Sequence, residues 1–209
     1  MADTRARWRG FYFITDSGLS VNGIVEDVRQ ALSAGVAIVQ YREKRKTPPE
    51  RRNEALEILA LCRRAAVPFI VNDDCALAAE IGADGVHVGP HDVSCAEARK
   101  MLGTDAVIGV SVGTPEEAKL VEAAGASYVA ASPVFPTPTK PDAGRPIGIE
   151  GVKAVRSAVT VPLAAIGGLN GENIPTVIAA GADLVCAISA SLAGGLVAAN
   201  IRMLMKGVR

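Results

Sequence analysis

Residues 82–89 read Gly-Ala-Asp-Gly-Val-His-Val-Gly, a glycine and a short step followed by a β-branched run that ends on another glycine. Glycine accepts the left-handed conformation that closes a helix, so the phrase marks a helix end with a strand straight after it. It recurs in variant form at Ala34-Gly35-Val36, Gly125-Ala126-Ser127 and Gly181-Ala182-Asp183. Short apolar runs of strand type occur at Phe11–Thr15, Ile38–Arg42, Phe69–Asn72, Gly85–Val88, Val107–Val110, Tyr128–Ala131, Leu163–Ile166 and Leu184–Ile188. Helical spacing fills Ile24–Leu32, Pro49–Cys62, Ala96–Leu102, Glu116–Ala123, Val152–Ser157, Ile174–Ala179 and Leu192–Met205 between them. Eight strands in a chain of 209 residues leave about 25 residues per βα unit, the compact end of an eight-fold barrel. The expected fold class is therefore α/β, a single compact (β/α)8 TIM barrel over residues 1–209, with 1–9 as a short N-terminal extension. A doubly wound open sheet uses the same units. However, no Gly-x-Gly-x-x-Gly follows the first strand, where a dinucleotide site needs it.

Composition agrees. The chain is 49% hydrophobic and only 4% aromatic, so its core must be built from small branched side chains, as in a parallel sheet covered on both faces. Lys+Arg and Asp+Glu number 22 each, which argues against nucleic-acid binding driven by bulk charge. The apolar content excludes intrinsic disorder. Cys62, Cys75, Cys95 and Cys186 have neither CxxC nor zinc spacing and are expected to be reduced core thiols. Arg5, Arg7 and Arg9 precede an apolar stretch, but Thr15-Asp16 interrupts it too soon for a secretory signal. No apolar run approaches the ~18 residues of a membrane span. The expectation is a soluble, cytoplasmic protein that acts on small molecules, with no nucleic-acid or membrane partner. A homodimer is admitted by this reading.

Reactive groups of such barrels sit at the carboxyl ends of strands. The second strand ends Gln40-Tyr41-Arg42-Glu43-Lys44, and a period of two places Gln40, Arg42 and Lys44 on one face. Two cations aimed into a barrel mouth require an anionic partner. The third strand ends Asn72-Asp73-Asp74, and the fourth leads to Asp92. Carboxylates on adjacent strands suit a hard cation such as Mg²⁺, which favours oxygen ligands and keeps water and substrate phosphates in its shell. Asp73 with Asp92 is the favoured pair. The bland alternative makes Asp73 or Asp74, and Asp92 or Ser94, helix caps. After the sixth strand, Pro133-Val134-Phe135-Pro136-Thr137-Pro138-Thr139-Lys140-Pro141 stiffens a loop carrying two hydroxyls and an ammonium, which suits phosphate oxygens. Gly144 and Gly148 suggest that the rest of this loop moves as a lid. Gly167-Gly168 and Ser189 end the seventh and eighth strands, where these barrels hold phosphate. His87, inside an apolar strand, is expected to be a satisfied core imidazole before a catalyst, and His91 a surface loop residue.

Together, Phe11–Asp16, Gln40-x-Arg42-Glu43-Lys44, Asn72-Asp73, Gly82–Gly89 with Asp92, Pro133–Pro141 and Ile166-Gly167-Gly168 resemble the thiamine phosphate synthase family, in the family's order along residues 10–205. The resemblance implies a transferase that couples 4-amino-2-methyl-5-hydroxymethylpyrimidine diphosphate to a thiazole phosphate, with or without a carboxylate on the thiazole, and requires Mg²⁺. Carried over by motif, Gln40, Arg42, Lys44 and Asn72 hold the pyrimidine diphosphate. Asp73 and Asp92 hold the metal, Ser111 approaches the pyrimidine, and Lys140 meets the diphosphate. Thr137, Thr139, Gly168, Ile188 and Ser189 contact the thiazole phosphate. Arg42, Lys44, Ser111 and Lys140 are the catalytic candidates.

Val112-Gly113, Ala130, Ser132, Asp74, Ala76 and Pro90-His91 depart from the family pattern and bear on the shape of the ring pockets. Three rival functions use the same barrel. A relative that isomerises thiazole phosphate needs a proton-shuttling base and no diphosphate clamp. A sugar-phosphate isomerase needs a paired acid and base. A non-catalytic sensor would bind phosphorylated ligands and release nothing. On the transferase expectation, Lys140→Ala lowers turnover roughly 10²–10³-fold in a diphosphate-release assay and leaves the fold intact.

Overall fold

The computed structural model describes residues 8–139 and 144–208. Eight parallel strands pair in sequence order and close on themselves: β1 (Gly10–Ile14), β2 (Ile38–Tyr41), β3 (Phe69–Asn72), β4 (Gly85–Val88), β5 (Val107–Val112), β6 (Tyr128–Ala131), β7 (Leu163–Ile166) and β8 (Leu184–Cys186). Closure is made by β1 against β8, with Gly10 opposite Leu184 and Phe11 opposite Val185. The expected (β/α)8 barrel is the fold of this chain.

The helices are α1 (Ile24–Ser33), α2 (Pro48–Ala65), α3 (Cys75–Ile81), α4 (Cys95–Leu102), α5 (Pro115–Ala123), α6 (Gly148–Ala158), α7 (Ile174–Ala179), α8 (Ile188–Leu192) and α9 (Val197–Leu204). Their starts follow from local chemistry. Thr47, Ser94 and Thr114 form capping boxes with Glu50, Glu97 and Glu117. Gly82, with φ at 66°, closes α3 in the left-handed conformation that its phrase predicts.

Strand alternation sorts the apolar residues into two cores. Tyr12, Ile14, Ile38, Ile70, Tyr128, Ala130, Ala164, Leu184 and Cys186 point inward and fill the barrel. Their neighbours Phe11, Phe13, Val39, Tyr41, Phe69, Val71, Val129 and Val185 point outward against the helices. Trp8, in the expected N-terminal extension, lays its ring against Tyr128 with centroids 5.6 Å apart. All four cysteines are buried and unpaired, as expected. No helix among the described residues is long and apolar enough to cross a membrane.

Several expected boundaries change. The eighth strand stops at Cys186, not Ile188, because Ala187 turns the chain into α8 and its carbonyl accepts from Ser191 N–H at 2.9 Å. Of the helix expected over Leu192–Met205 only α9 forms, separated by Gly194 and Gly195 at positive φ from α8, which ends at Leu192. Asn200 secures the break, donating to the carbonyls of Ser191 and Ala193. The fifth strand extends past Val110 to Val112, which brings Ser111 into the sheet beside Ala130. The short helix α3 was absent from the expected helices, since Cys-Ala-Leu-Ala-Ala-Glu-Ile offers few polar positions to show a period. Gly148, expected as a lid hinge, is the first residue of α6.

Gly109 leaves room for an inward aromatic ring. A Cβ there would sit 1.9 Å from Cζ and 2.2 Å from the hydroxyl of Tyr128. Gly109→Ala is expected to lower stability by about 1–3 kcal/mol through overpacking. A denaturation midpoint equal to the parent's would refute this fixed placement of the ring.

Candidate active site

The carboxyl ends of the strands surround a cavity of about 340 Å³. Gln40, Arg42, Lys44, Asn72, Asp73, Asp92, Ser111, Thr137, Thr139, Gly168, Ile188 and Ser189, all expected in the site, line it together. Lys140 lies outside the described residues. His91, expected as a surface loop residue, also lines the cavity.

The two cations of the second strand end meet carboxylates of the protein. Arg42 Nη1 lies 2.8 Å from Asp16 Oδ2, and Lys44 Nζ lies 2.6 Å from Asp73 Oδ2. Thr15 straps the first loop to the second: its hydroxyl donates to the Arg42 carbonyl at 3.0 Å and accepts from the Arg42 N–H at 2.8 Å. Glu43 points the other way and is buried. Its carboxylate accepts from Ser17 Oγ at 3.0 Å and from the N–H groups of Arg45 and Lys46. Burial works against its charge, but those donors outweigh it and hold the carboxyl below the usual range. Glu43 thus braces the loop that carries Arg42 and Lys44.

Asp73 and Asp74 divide the two roles left open by the sequence. Asp74 caps α3, accepting from Leu77 N–H at 2.9 Å, and also pairs with Arg51. Asp73 does not cap. It sits at a φ of 62°, unusual for a side chain other than glycine, and its N–H donates to the His87 carbonyl at 2.8 Å. Such a conformation costs on the order of 1–3 kcal/mol and persists only where the surroundings impose it. Ser94, not Asp92, caps α4. Asp92 instead folds back to accept from Gly89 N–H at 2.7 Å.

The Asp73 and Asp92 carboxyl groups lie side by side. At Asp73 burial is outweighed by the Lys44 ammonium and the hydrogen bond with Asp92, so its carboxyl stays below the usual range. At Asp92 burial and the neighbouring Asp73 carboxylate push the other way, and the carboxyl is raised. Among the described residues no group of three or more His, Cys, Asp or Glu side chains converges as a metal cage. Two adjacent oxygen donors of this kind suit a hard cation that takes its remaining ligands from water and from a bound phosphate.

His87 is satisfied at both ring nitrogens, as expected of a core imidazole. Nδ1 lies 2.8 Å from Tyr128 Oη and Nε2 lies 3.0 Å from Ser111 Oγ. It nevertheless lines the cavity. The paired glycines have a packing role. A Cβ on Gly167 would lie 2.7 Å from Pro133 Cβ, and one on Gly168 would lie 2.6 Å from the Pro136 carbonyl. The proline loop therefore rests directly on the end of β7. Sequence reasoning did not single out Tyr12, Asp16, Glu43 or Tyr128. The inward alternation of β1 and β6 carried the signal for both tyrosines.

Residues 11–191 match the thiamine monophosphate synthase family. The chain belongs to that family. As an enzyme it is a transferase of the thiamine-phosphate synthase type. It is 49% identical over 180 residues to a thiamine-phosphate synthase of Methanosarcina barkeri, covering 86% of this chain and 81% of the relative. Against the thiamine-phosphate synthase of Chloroflexus aurantiacus it is 43% identical over 198 residues, covering 94% and 91%. A solved thiamine phosphate pyrophosphorylase from Pyrococcus furiosus superposes with a TM-score of 0.88 at 35% identity, covering 97% of this chain and 96% of that one. The thiamine monophosphate synthase resemblance drawn from the motifs is thereby borne out.

Asp74→Ala tests the division of roles between the adjacent aspartates. Loss of the cap is expected to lower stability by roughly 0.5–2 kcal/mol in chemical denaturation. The Mg²⁺ concentration giving half-maximal activity should not change.

Proposed function

We propose that this chain joins 4-amino-2-methyl-5-hydroxymethylpyrimidine diphosphate to a thiazole phosphate, giving thiamine phosphate and diphosphate. The observation that supports it best is the meeting of Arg42, Lys44, Asp73 and Asp92 at one rim of one cavity, beside the hydroxyls of Ser111, Thr137, Thr139 and Ser189. A thiazole isomerase has no use for that concentration of paired charge, and among the described residues His87 is engaged at both nitrogens.

In this reading the pyrimidine ring lies against Gln40 and Ser111, with its diphosphate towards Arg42, Lys44, Asn72 and Lys140. The thiazole phosphate lies against Thr137, Thr139, Gly168, Ile188 and Ser189. Asp73 and Asp92 would hold Mg²⁺, which when bound supplies positive charge to the departing diphosphate. The ring's own amino group stabilises positive charge at the exocyclic carbon, so no strong protein base is required. The side chains hold the diphosphate oxygens and aim the thiazole nitrogen at that carbon. A cation 4 Å from a developing oxyanion contributes about 4 kcal/mol at an effective dielectric near 20. Arg42, Lys44 and Lys140 thus act chiefly by electrostatic stabilisation of the leaving group. Asp16 and Asp73 keep Arg42 and Lys44 in place before substrate arrives. The four buried thiols fit work in a reducing, cytoplasmic setting.

Diphosphate release tests the proposal. Release is expected only when the pyrimidine diphosphate, the thiazole phosphate and Mg²⁺ are all present. Binding of both ligands with no release would instead identify a sensor. Asp73→Asn and Asp92→Asn should each raise the Mg²⁺ requirement by about tenfold or more. An unchanged requirement in both variants would remove these two residues from the metal site.

A further inference from the structure

A second cavity, of about 440 Å³, adjoins the first at the strand ends. Arg42, Lys44, Thr139 and Ser189 line both, whereas Asp16, Gly18 and Arg45 line only the second. The loops after β1 and β2 make its wall, tied together by Thr15 and by the contact of Ser17 with Glu43. Arg45 has no part in the transfer proposed above. Its backbone N–H donates to Glu43 at 2.6 Å, while its exposed guanidinium joins no ion pair among the described residues. That guanidinium lies over Gly18, where a Cβ would sit 2.5 Å from Nη2 and 2.9 Å from Cζ. Gly18 is not at positive φ, so its missing side chain supplies room for Arg45 and serves no backbone conformation.

The two cavities differ in charge. Among the described residues the first sets Arg42 and Lys44 against the carboxyl groups of Asp73 and Asp92. The second sets Arg42, Lys44 and Arg45 against Asp16 alone. Asp16 is already engaged, with Oδ2 2.8 Å from Arg42 Nη1 and Oδ1 accepting from Gly18 N–H at 2.9 Å. A cleft with such an excess of one sign concentrates ions of the other. The planar guanidinium of Arg45 keeps its charge at any working pH and forks onto two phosphate oxygens. Thr139 and Ser189 add hydroxyl donors on the shared side. An anion that passes from the first cavity to the second keeps Arg42 and Lys44 beside it, leaves two carboxyl groups behind and gains Arg45.

We propose that the second cavity is a separate diphosphate subsite, entered from the first and held by Arg45 on its Gly18 seat. The choice of ligand rests on the reading of the first cavity as the place where diphosphate is set free. The subsite itself rests on the guanidinium over Gly18 and on the charge of the wall. Diphosphate that moves there clears the first cavity for the next pyrimidine diphosphate. Arg45 binds the departed anion and touches no reacting atom.

The probe is inorganic diphosphate, titrated by calorimetry into the full chain already saturated with Mg²⁺ and the pyrimidine diphosphate, with no thiazole phosphate present. The parent protein should bind one further equivalent. Arg45→Glu should weaken that binding by about tenfold or more, since it sets a like charge beside the anion. Gly18→Ala keeps every charge but displaces the guanidinium, and should weaken it by about fivefold or more through loss of the forked contact. Affinity for thiazole phosphate should not change in either variant. Lys119→Glu, on the exposed side of α5, changes the net charge by the same amount as Arg45→Glu and should leave diphosphate binding unaltered. Thermal melting identifies any variant that fails to fold, and the other of the two then decides. A saturated parent that takes up no further diphosphate overturns the proposal, as does undiminished binding in folded Arg45→Glu or an equal loss in Lys119→Glu. A parallel loss of thiazole phosphate affinity would give the cavity to that substrate and overturn it too. Diphosphate bound through Arg45 by a chain that releases none from its substrates would support the subsite and count against the transfer reaction.

Discussion

Closure of β1 onto β8 holds the barrel and its rim together. A parallel strand left at an open edge would expose a row of unpaired backbone groups. Pairing Gly10 with Leu184 and Phe11 with Val185 removes that edge and gathers all eight carboxyl ends into one ring. Residues separated by tens of positions in the chain then face one another. Lys44 meets Asp73, and Tyr12 meets Tyr128 across 116 positions.

Closure also sets apolar and polar groups side by side in the interior. The inward residues Ile38, Ile70, Ala164 and Leu184 are apolar and fully buried. Among them Tyr12, Gln40, Tyr128 and His87 bring polar atoms inside, and each must find a partner there because water is excluded. Their hydroxyls, amide and ring nitrogens satisfy one another. At the rim the problem becomes electrostatic. Arg42 and Lys44 face Asp16 and Asp73, so the site is charged yet locally balanced. In the proposed reaction an arriving diphosphate would find donors already oriented, and a cation would find two carboxyl groups already adjacent.

Much of this was legible in the chain. The runs at β3, β4, β6 and β7 have the observed limits, because each is a β-branched or small apolar run with clear breakers on either side. Boundaries failed where composition was ambiguous. α3 is short and almost wholly apolar, β5 continues through Ser111, and the Gly194-Gly195 step hides inside an otherwise helical spacing. Gln40, Arg42 and Lys44 were predictable as one polar face because a strand repeats every two residues.

The repeat and the order of the strands follow from periodicity and glycine conformations, the polar face of Gln40, Arg42 and Lys44 follows from strand spacing, and the fuller set of site residues came from the family resemblance. The sequence left the roles of neighbouring carboxylates open. Only the tertiary structure assigned Asp74 to the cap of α3 and turned Asp73 towards Lys44. It alone joined Tyr12, Tyr128, His87 and Ser111. Hydrogen bonds between strands depend on register and on which side chains share the interior, and neither quantity exists until the barrel has closed.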